Sequence, residues 1–439
     1  MVTEVELFVT SPRMILGLLS AKLFNDAVDA GYTDVLASSM DVAVRAMNGA
    51  QPLAILLDNV YTNASRAAKV LNSANIEASQ AASIFNQTAL RASKAASILK
   101  NANITANRAQ AILYSMADQG FFDKLLAIIV DGTSDASITS DTTLTTGVNR
   151  YATLSISSGV TLTLGADPGV IIADTISNSG TIASGWVKGA GGTAGASGAG
   201  AGGGGCGAVI ILARSITVGT VTANGAAGGA GSTVISSGNG GAGVGGLFWL
   251  ISGDSVPNGG NGGYTSGGAG KPNGGGGGGA YGYSGGAGGT ATTTTYTDGP
   301  SLLKPLFKAI CDWWLVNVVG KTPTSTISIP SLGGSGGGGG GARAGYGAGG
   351  GGGGGGGQIV IYGTSITAGT VQAKGGAGGN GGNSGSYDCG GGGGGGGIIY
   401  VFYKSLSGTF TYDVSGGAGG TGDYPGAAGG TGVFRAIAV

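Results

Sequence analysis

The chain has 439 residues, 100 of them glycine; only 10% are charged, the 21 basic side chains balance the 21 acidic ones, and there is no histidine. A neutral chain does not recruit nucleic acid or an anionic membrane by charge. The absence of histidine removes the commonest general acid–base, the Ser-His and Cys-His nucleophile pairs and most zinc sites.

Residues 1–131 hold four glycines (Gly17, Gly31, Gly49, Gly120) and the other 96 lie in the residues after them. This asymmetry predicts a helical domain over 1–131 and a glycine-rich remainder. The opening MVTEVELFVTSPRM places two glutamates where a secretion signal carries positive charge. No run reaches the roughly 18 apolar residues of a membrane span. The chain is therefore expected to be made in the cytoplasm and to lack a transmembrane segment.

Within the first domain a fourteen-residue unit repeats over 65–116. Ser65, Ser79, Ser93 and Asn107 open the four copies, and Val70-Leu71, Ile84-Phe85, Ile98-Leu99 and Ile112-Leu113 form their apolar pairs. Two architectures fit. As two heptads, Leu71, Ala78, Phe85, Ala92 and Leu99 form the seam of an alanine-rich coiled coil, with a trimer as one option. A solenoid of short capped helices would instead also bury Ile76, Leu90 and Ile104, which a coil leaves on its far side.

Residues 132–184 alternate Thr, Ser and Val with Leu and Ile, a strand signal. An apolar strand, a polar turn, a second strand and a glycine tract recur from the end of that segment through the glycine-rich domain at 185–439, with starts at Gly169, Gly207, Gly246, Gly357, Gly397 and Gly432. Regular spacing predicts stacked supersecondary units. The tracts, such as Gly349 to Gly357 and Gly390 to Gly397, are open to two readings: flexible linkers, or extended segments pairing their amides laterally. A helical insertion at about 290–330 breaks the spacing; Leu303, Leu306, Phe307, Ile310 and Trp314 recur at helical intervals in it.

Aromatic residues are the candidate receptor contacts: Tyr264, Tyr281 and Tyr283 among glycines, and Trp313 and Trp314 in the inserted helix. The tryptophans also suit a small core. No catalytic, cofactor-binding or metal-binding residue is expected. Beyond Arg150 there are eight scattered aspartates and no glutamate, where glycan cleavage needs two placed carboxylates. The glycine runs lack the Lys-Ser/Thr of a phosphate loop. Cys206, Cys311 and Cys389 are too few for a disulfide framework. A bond between Cys206 and Cys389, both beside glycine tracts, stays open against buried free thiols.

The tracts Gly349 to Gly357 and Gly390 to Gly397 resemble the polyglycine sandwich of receptor-binding adhesins at bacteriophage tail-fibre tips. The Ala95-Ala96-Ser97-Ile98-Leu99 type of repeat, followed by a Thr/Ser-rich β segment and glycine-rich rungs, is similar to tail-fibre and spike proteins of viruses infecting archaea. The phage adhesins lack the fourteen-residue repeat, so their attachment end does not carry over. The fold expected is α + β and multidomain, an all-α repeat domain followed by a glycine-rich β-solenoid or polyglycine-II sandwich. The resemblance implies a non-enzymatic virion protein, exposed on the particle and oligomeric. It would join other virion proteins through the helical domain and bind a host surface glycan or glycoprotein. A secreted cell-surface adhesin or structural filament is the alternative.

Overall fold

The computed structural model describes residues 21–185, 200–231, 247–255, 298–329, 349–382 and 389–439, with the short pieces 187–188, 259–260, 279–280, 283–284, 292–296 and 336–338. The chain divides into two compact units, Met1–Thr133 with Leu303–Ile329, and Ser134–Leu302 with Pro330–Val439. The inserted segment thus belongs with the N-terminal helices, and the β segment expected at 132–184 is continuous with the glycine-rich part.

The helical unit begins with α1 (Ala21–Asp29), α2 (Thr33–Met47), α3 (Ala50–Asp58) and α4 (Ala64–Asn72). It continues through α5 (Ala78–Phe85), α6 (Ala92–Lys100), α7 (Ala106–Asp118) and α8 (Phe122–Ile129). Helices this short rule out the long coiled coil. Each repeat breaks because its Asn- and Ser-rich middle favours turns over helix interior. The apolar residue of each connection turns inward, and Ile76, Leu90 and Ile104 are as buried as Leu71, Phe85 and Leu99.

From α2 to α6, each helix packs on the helix two further along. A polar series ties each helix from α4 to α7 to the helix three before it. The residues leading into α4, α5, α6 and α7 are Asn63, Glu77, Arg91 and Thr105. Their backbone N–H groups donate to the side chains of Asn25 (3.2 Å), Asp41 (2.8 Å), Asp58 (2.8 Å) and Asn72 (2.9 Å). A leading N–H has no partner inside its own helix, so an Asp or Asn three helices back supplies one.

The second unit is built on β1 (Ala136–Ile138), β2 (Thr142–Leu144), β3 (Val148–Ile156), β4 (Thr161–Leu164), β5 (Gly169–Ser184) and β6 (Ala208–Thr222). After β7 (Leu247–Ile251) and β8 (Thr292–Tyr296) come β9 (Gln358–Thr367), β10 (Thr370–Gln372), β11 (Ile398–Ser407), β12 (Thr411–Asp413) and β13 (Val433–Ala438). All but β7 and β8 join one eleven-stranded sheet of parallel pairings, ordered β1-β3-β5-β6-β9-β11-β13 along its main path. The pair β7 and β8 is a separate parallel ladder.

This sheet corrects the fold class expected from the sequence. The chain is an α/β arrangement of N-terminal helices and one large parallel sheet, not an α + β chain ending in a β-solenoid or polyglycine-II sandwich. The turn between the two strands of a unit was expected to separate them. Instead β5 runs through it for 16 residues, and its ladder with β6 shifts register only between Asn178 and Thr181. Buried Asn178 holds this bulge, its side chain accepting from Gly180 N–H (3.0 Å) and donating to the Thr220 carbonyl (3.3 Å).

The described glycine tracts are bonded on several sides, as linkers are not. Gly350, Gly353 and Gly356 donate N–H to the carbonyls of Cys389, Gly392 and Gly395. Gly351, Gly354 and Gly357 donate to Gly229, Ala226 and Ala223, while Gly349, Gly352 and Gly355 accept from Gly200, Gly203 and Cys206. Every third residue faces the same neighbour, the period of a three-residue extended helix. A Cβ on Gly351, Gly352 or Gly353 would lie 2.0, 2.2 or 1.9 Å from the carbonyl oxygen of Ala201, Gly337 or Gly376 respectively. Each direction meets another backbone, so only glycine fits.

Candidate functional site

The sheet changes character along its strands. In the first half of each unit consecutive residues are buried, as at Val170 to Ala173, Val209 to Ala213, Ile359 to Tyr362 and Ile398 to Phe402. Burial on both faces gives the continuous apolar runs usual in parallel sheets. The segment after β7 covers part of this region. Tyr400 accepts a hydrogen bond from Ile251 N–H (3.1 Å) and donates to Asp254 (2.8 Å), and Arg435 binds the same carboxylate through Nε (2.8 Å) and Nη2 (2.5 Å). Burial, with the Asp254 carboxylate adding to it, drives the Tyr400 phenol well above its ordinary value.

Past the pair Asp174–Arg214, joined at 2.5 and 2.6 Å, burial alternates. Inward residues such as Leu154, Ile176, Ile216 and Ile366 stay in the core. The outward positions fall into register as hydroxyl columns. One runs Thr153, Thr175, Ser215, Ser365, Ser405. A second runs Ser137, Ser155, Ser177, Thr217, Thr367, Ser407. Beyond the bulge a third is all threonine: Thr161, Thr181, Thr220, Thr370, Thr411.

Neighbours within a column stand about 4.8 Å apart, and outward positions along a strand about 6.6 Å. Most members of the second column are exposed and most of the third half-buried. A parallel sheet ordinarily has both faces covered. Here one face carries a regular lattice of uncharged donors and acceptors to the surface, because each unit places Ser or Thr at alternate positions. The sequence displays that alternation, but alignment across rungs comes only from the register.

Tyr264 and Tyr281 lie outside the described residues. Only the backbone of Tyr283 is described, where Tyr283–Ser284 pairs antiparallel with Gly279–Ala280. Trp313 and Trp314 end α9 (Gly299–Trp314), whose residues from Leu303 onward belong to the helical unit. Trp314 is fully buried with Lys100 Nζ 5.7 Å from its ring centre, so it has no surface to offer a receptor; Trp313 is half-buried. Burial wins for Trp314 because α9 turns its apolar stripe inward, where Phe307 stacks on Phe122 at 4.4 Å.

Several of the carboxylates are tied to structural partners. Asp312 is buried and accepts from Gln110 (2.7 Å), the Tyr114 hydroxyl and Ile327 N–H (2.6 Å). Asp413 pairs with Lys374 at 3.7 Å. Cys206, Cys311 and Cys389 are buried and none forms a disulfide, so Cys206 and Cys389 are not joined to each other. Among the described residues, no three Cys, Asp or Glu side chains gather as a metal-holding group, and no helix is long and apolar enough to cross a membrane. No protein-family model, curated protein or solved structure matches this chain.

Proposed function

We propose that the chain is a non-enzymatic virion structural protein, a tail fibre or spike that attaches the particle to its host. The observation that carries this reading is the lattice of hydroxyl columns that reaches the surface on one face of a parallel sheet. Its first partner by chemistry is a neutral polyhydroxylated polymer, a host surface glycan or the glycan of a glycoprotein. Uncharged Ser and Thr exchange hydrogen bonds with sugar hydroxyls, and the rigid backbone brings many to bear with little ordering cost. The zero net charge fits such a ligand better than nucleic acid.

In this reading the bonded glycine segments give stiffness without charge, and the helical unit joins other virion proteins. The protein is made in the host cytoplasm and displayed on the particle as an oligomer, a trimer being one form. A secreted adhesin or filament could use the same face, and antibody-labelled microscopy of particles separates the two. The binding test is a screen of the purified protein on immobilised neutral glycans, followed by Thr217→Lys with Ser407→Lys, two exposed positions of the second column that are not direct neighbours. The double variant should keep its melting temperature and lose at least about tenfold in affinity, roughly the loss of one or two hydrogen bonds. Equal binding by a folded double variant would remove the face from recognition.

A further inference from the structure

The connections of the helical unit share a second device. A connection between helices leaves backbone carbonyls that need partners when they are buried, and a Lys or Arg side chain supplies them. After α3, Lys94 Nζ donates to the Thr62 carbonyl at 2.6 Å. After α4, Arg108 donates to Leu71 (2.7 Å) and Ile76. After α5, Lys124 donates to Gln87 (3.1 Å) and Leu90. Thr62, Ile76 and Leu90 are spaced by the fourteen-residue repeat. Their cations lie 32, 32 and 34 residues further on.

The next member of this series is Ile104. By the same offset its cation should come near residue 136, where the chain has already entered β1. The cation is instead Lys321, 217 residues on; its Nζ donates to Ile104 (2.6 Å), Asn101 (2.6 Å) and Leu99 (3.0 Å). All four cations are held below their ordinary pKa by burial, so they share one environment. The segment around Lys321 has further ties to the repeats. Asp312 takes Gln110 and Tyr114 of α7, Lys308 pairs with Asp118 at 2.8 Å, and Asn107 accepts from Thr324 N–H at 2.9 Å.

We propose that Leu303–Ile329 is the terminal repeat of the helical stack, supplied out of order from within the glycine-rich sequence. A stack of repeats needs a closing unit at its end, and this segment closes the end that the N-terminal sequence leaves open. The helical module is therefore made of two stretches of chain, and its boundary is not at residue 131. The inference stands apart from the attachment role, since it holds whatever the module joins.

The test is amide hydrogen exchange by mass spectrometry on the full-length protein. Lys321→Met should raise exchange about tenfold or more in peptides spanning Leu99 to Asp118, leaving those around Thr62 and in the sheet unchanged. Lys94→Met should do the reverse, loosening Asn59 to Asn72 alone. Lys321→Arg should match the parent, because Arg108 already fills the equivalent place in the series. Should Lys321→Met fail to fold, Asp312→Asn in the same peptides serves, with a smaller rise at the same location. Parental exchange over Leu99 to Asp118 in Lys321→Met or Asp312→Asn would overturn the proposal. So would an Lys321→Arg protein as loose as Lys321→Met.

Discussion

Gly353 tests whether the glycine segments carry stability. In Gly353→Ala the new Cβ would stand 1.9 Å from the Gly376 carbonyl oxygen and 2.8 Å from that of Ala377, where ordinary contact begins at 3.4 Å. The segments must move apart by about 1.5 Å, the difference of those two distances. That movement breaks the Gly376 N–H bond to Gly354, now 2.7 Å, and strains the Gly353 N–H bond to Gly392, now 2.8 Å. Overpacking costs about 1–3 kcal/mol, and each buried group left unpaired costs about 1–3 kcal/mol more. A loss of roughly 3–5 kcal/mol follows, which at about 2–4 °C per kcal/mol lowers the melting temperature by at least 6 °C or so. Gly147→Ala is the control, because its nearest neighbour would be 3.8 Å away; it should stay within about 0.5 kcal/mol of the parent. Calorimetry of the three proteins decides. If Gly353→Ala melts with Gly147→Ala, the lattice is soft and the steric argument fails.

Trp314→Ala should cost about 3–5 kcal/mol, because the ring is fully buried in the helical unit. Trp314→Phe should cost much less, since the indole N–H has no hydrogen-bond partner to lose; denaturant melts followed by helical circular dichroism would compare them. Burial pushes the Cys206 thiol from 9.0 up to about 11. The folded chain keeps that proton where the unfolded chain releases it, so stability should fall between pH 9 and pH 11. The loss is roughly 2–3 kcal/mol, and Cys206→Ala should show a shallower decline in denaturant titrations at the two pH values. Equal slopes would refute a buried neutral thiol.

Much of the local structure is legible in the residues themselves. The fourteen-residue period marks the short helices, and Ile76, Leu90 and Ile104 already favour them over a coil, since a coil buries one stripe and these side chains lie off it. The strand strings at 169, 207, 357 and 397 stand where apolar β-branched runs predict. Their assembly into one sheet was not readable, because a polar turn such as Asn178 to Gly180 looks alike in sequence whether it ends a strand or bulges within it. The hydroxyl columns depend on register, which pairs Ser177 with Thr217 across 40 positions of chain. The home of the inserted helix was hidden for a similar reason. Lys321 meets Ile104 only after 217 residues, and its partners there are backbone carbonyls, which every residue possesses and no side-chain pattern reveals. Periodicity and propensity are local and act within a few turns of chain, so the sequence by itself determined the elements and the glycine-only tracts. Which elements pair, which face brings hydroxyls to the surface and where Trp314 is buried were decided by long-range hydrogen bonding and burial in the tertiary structure.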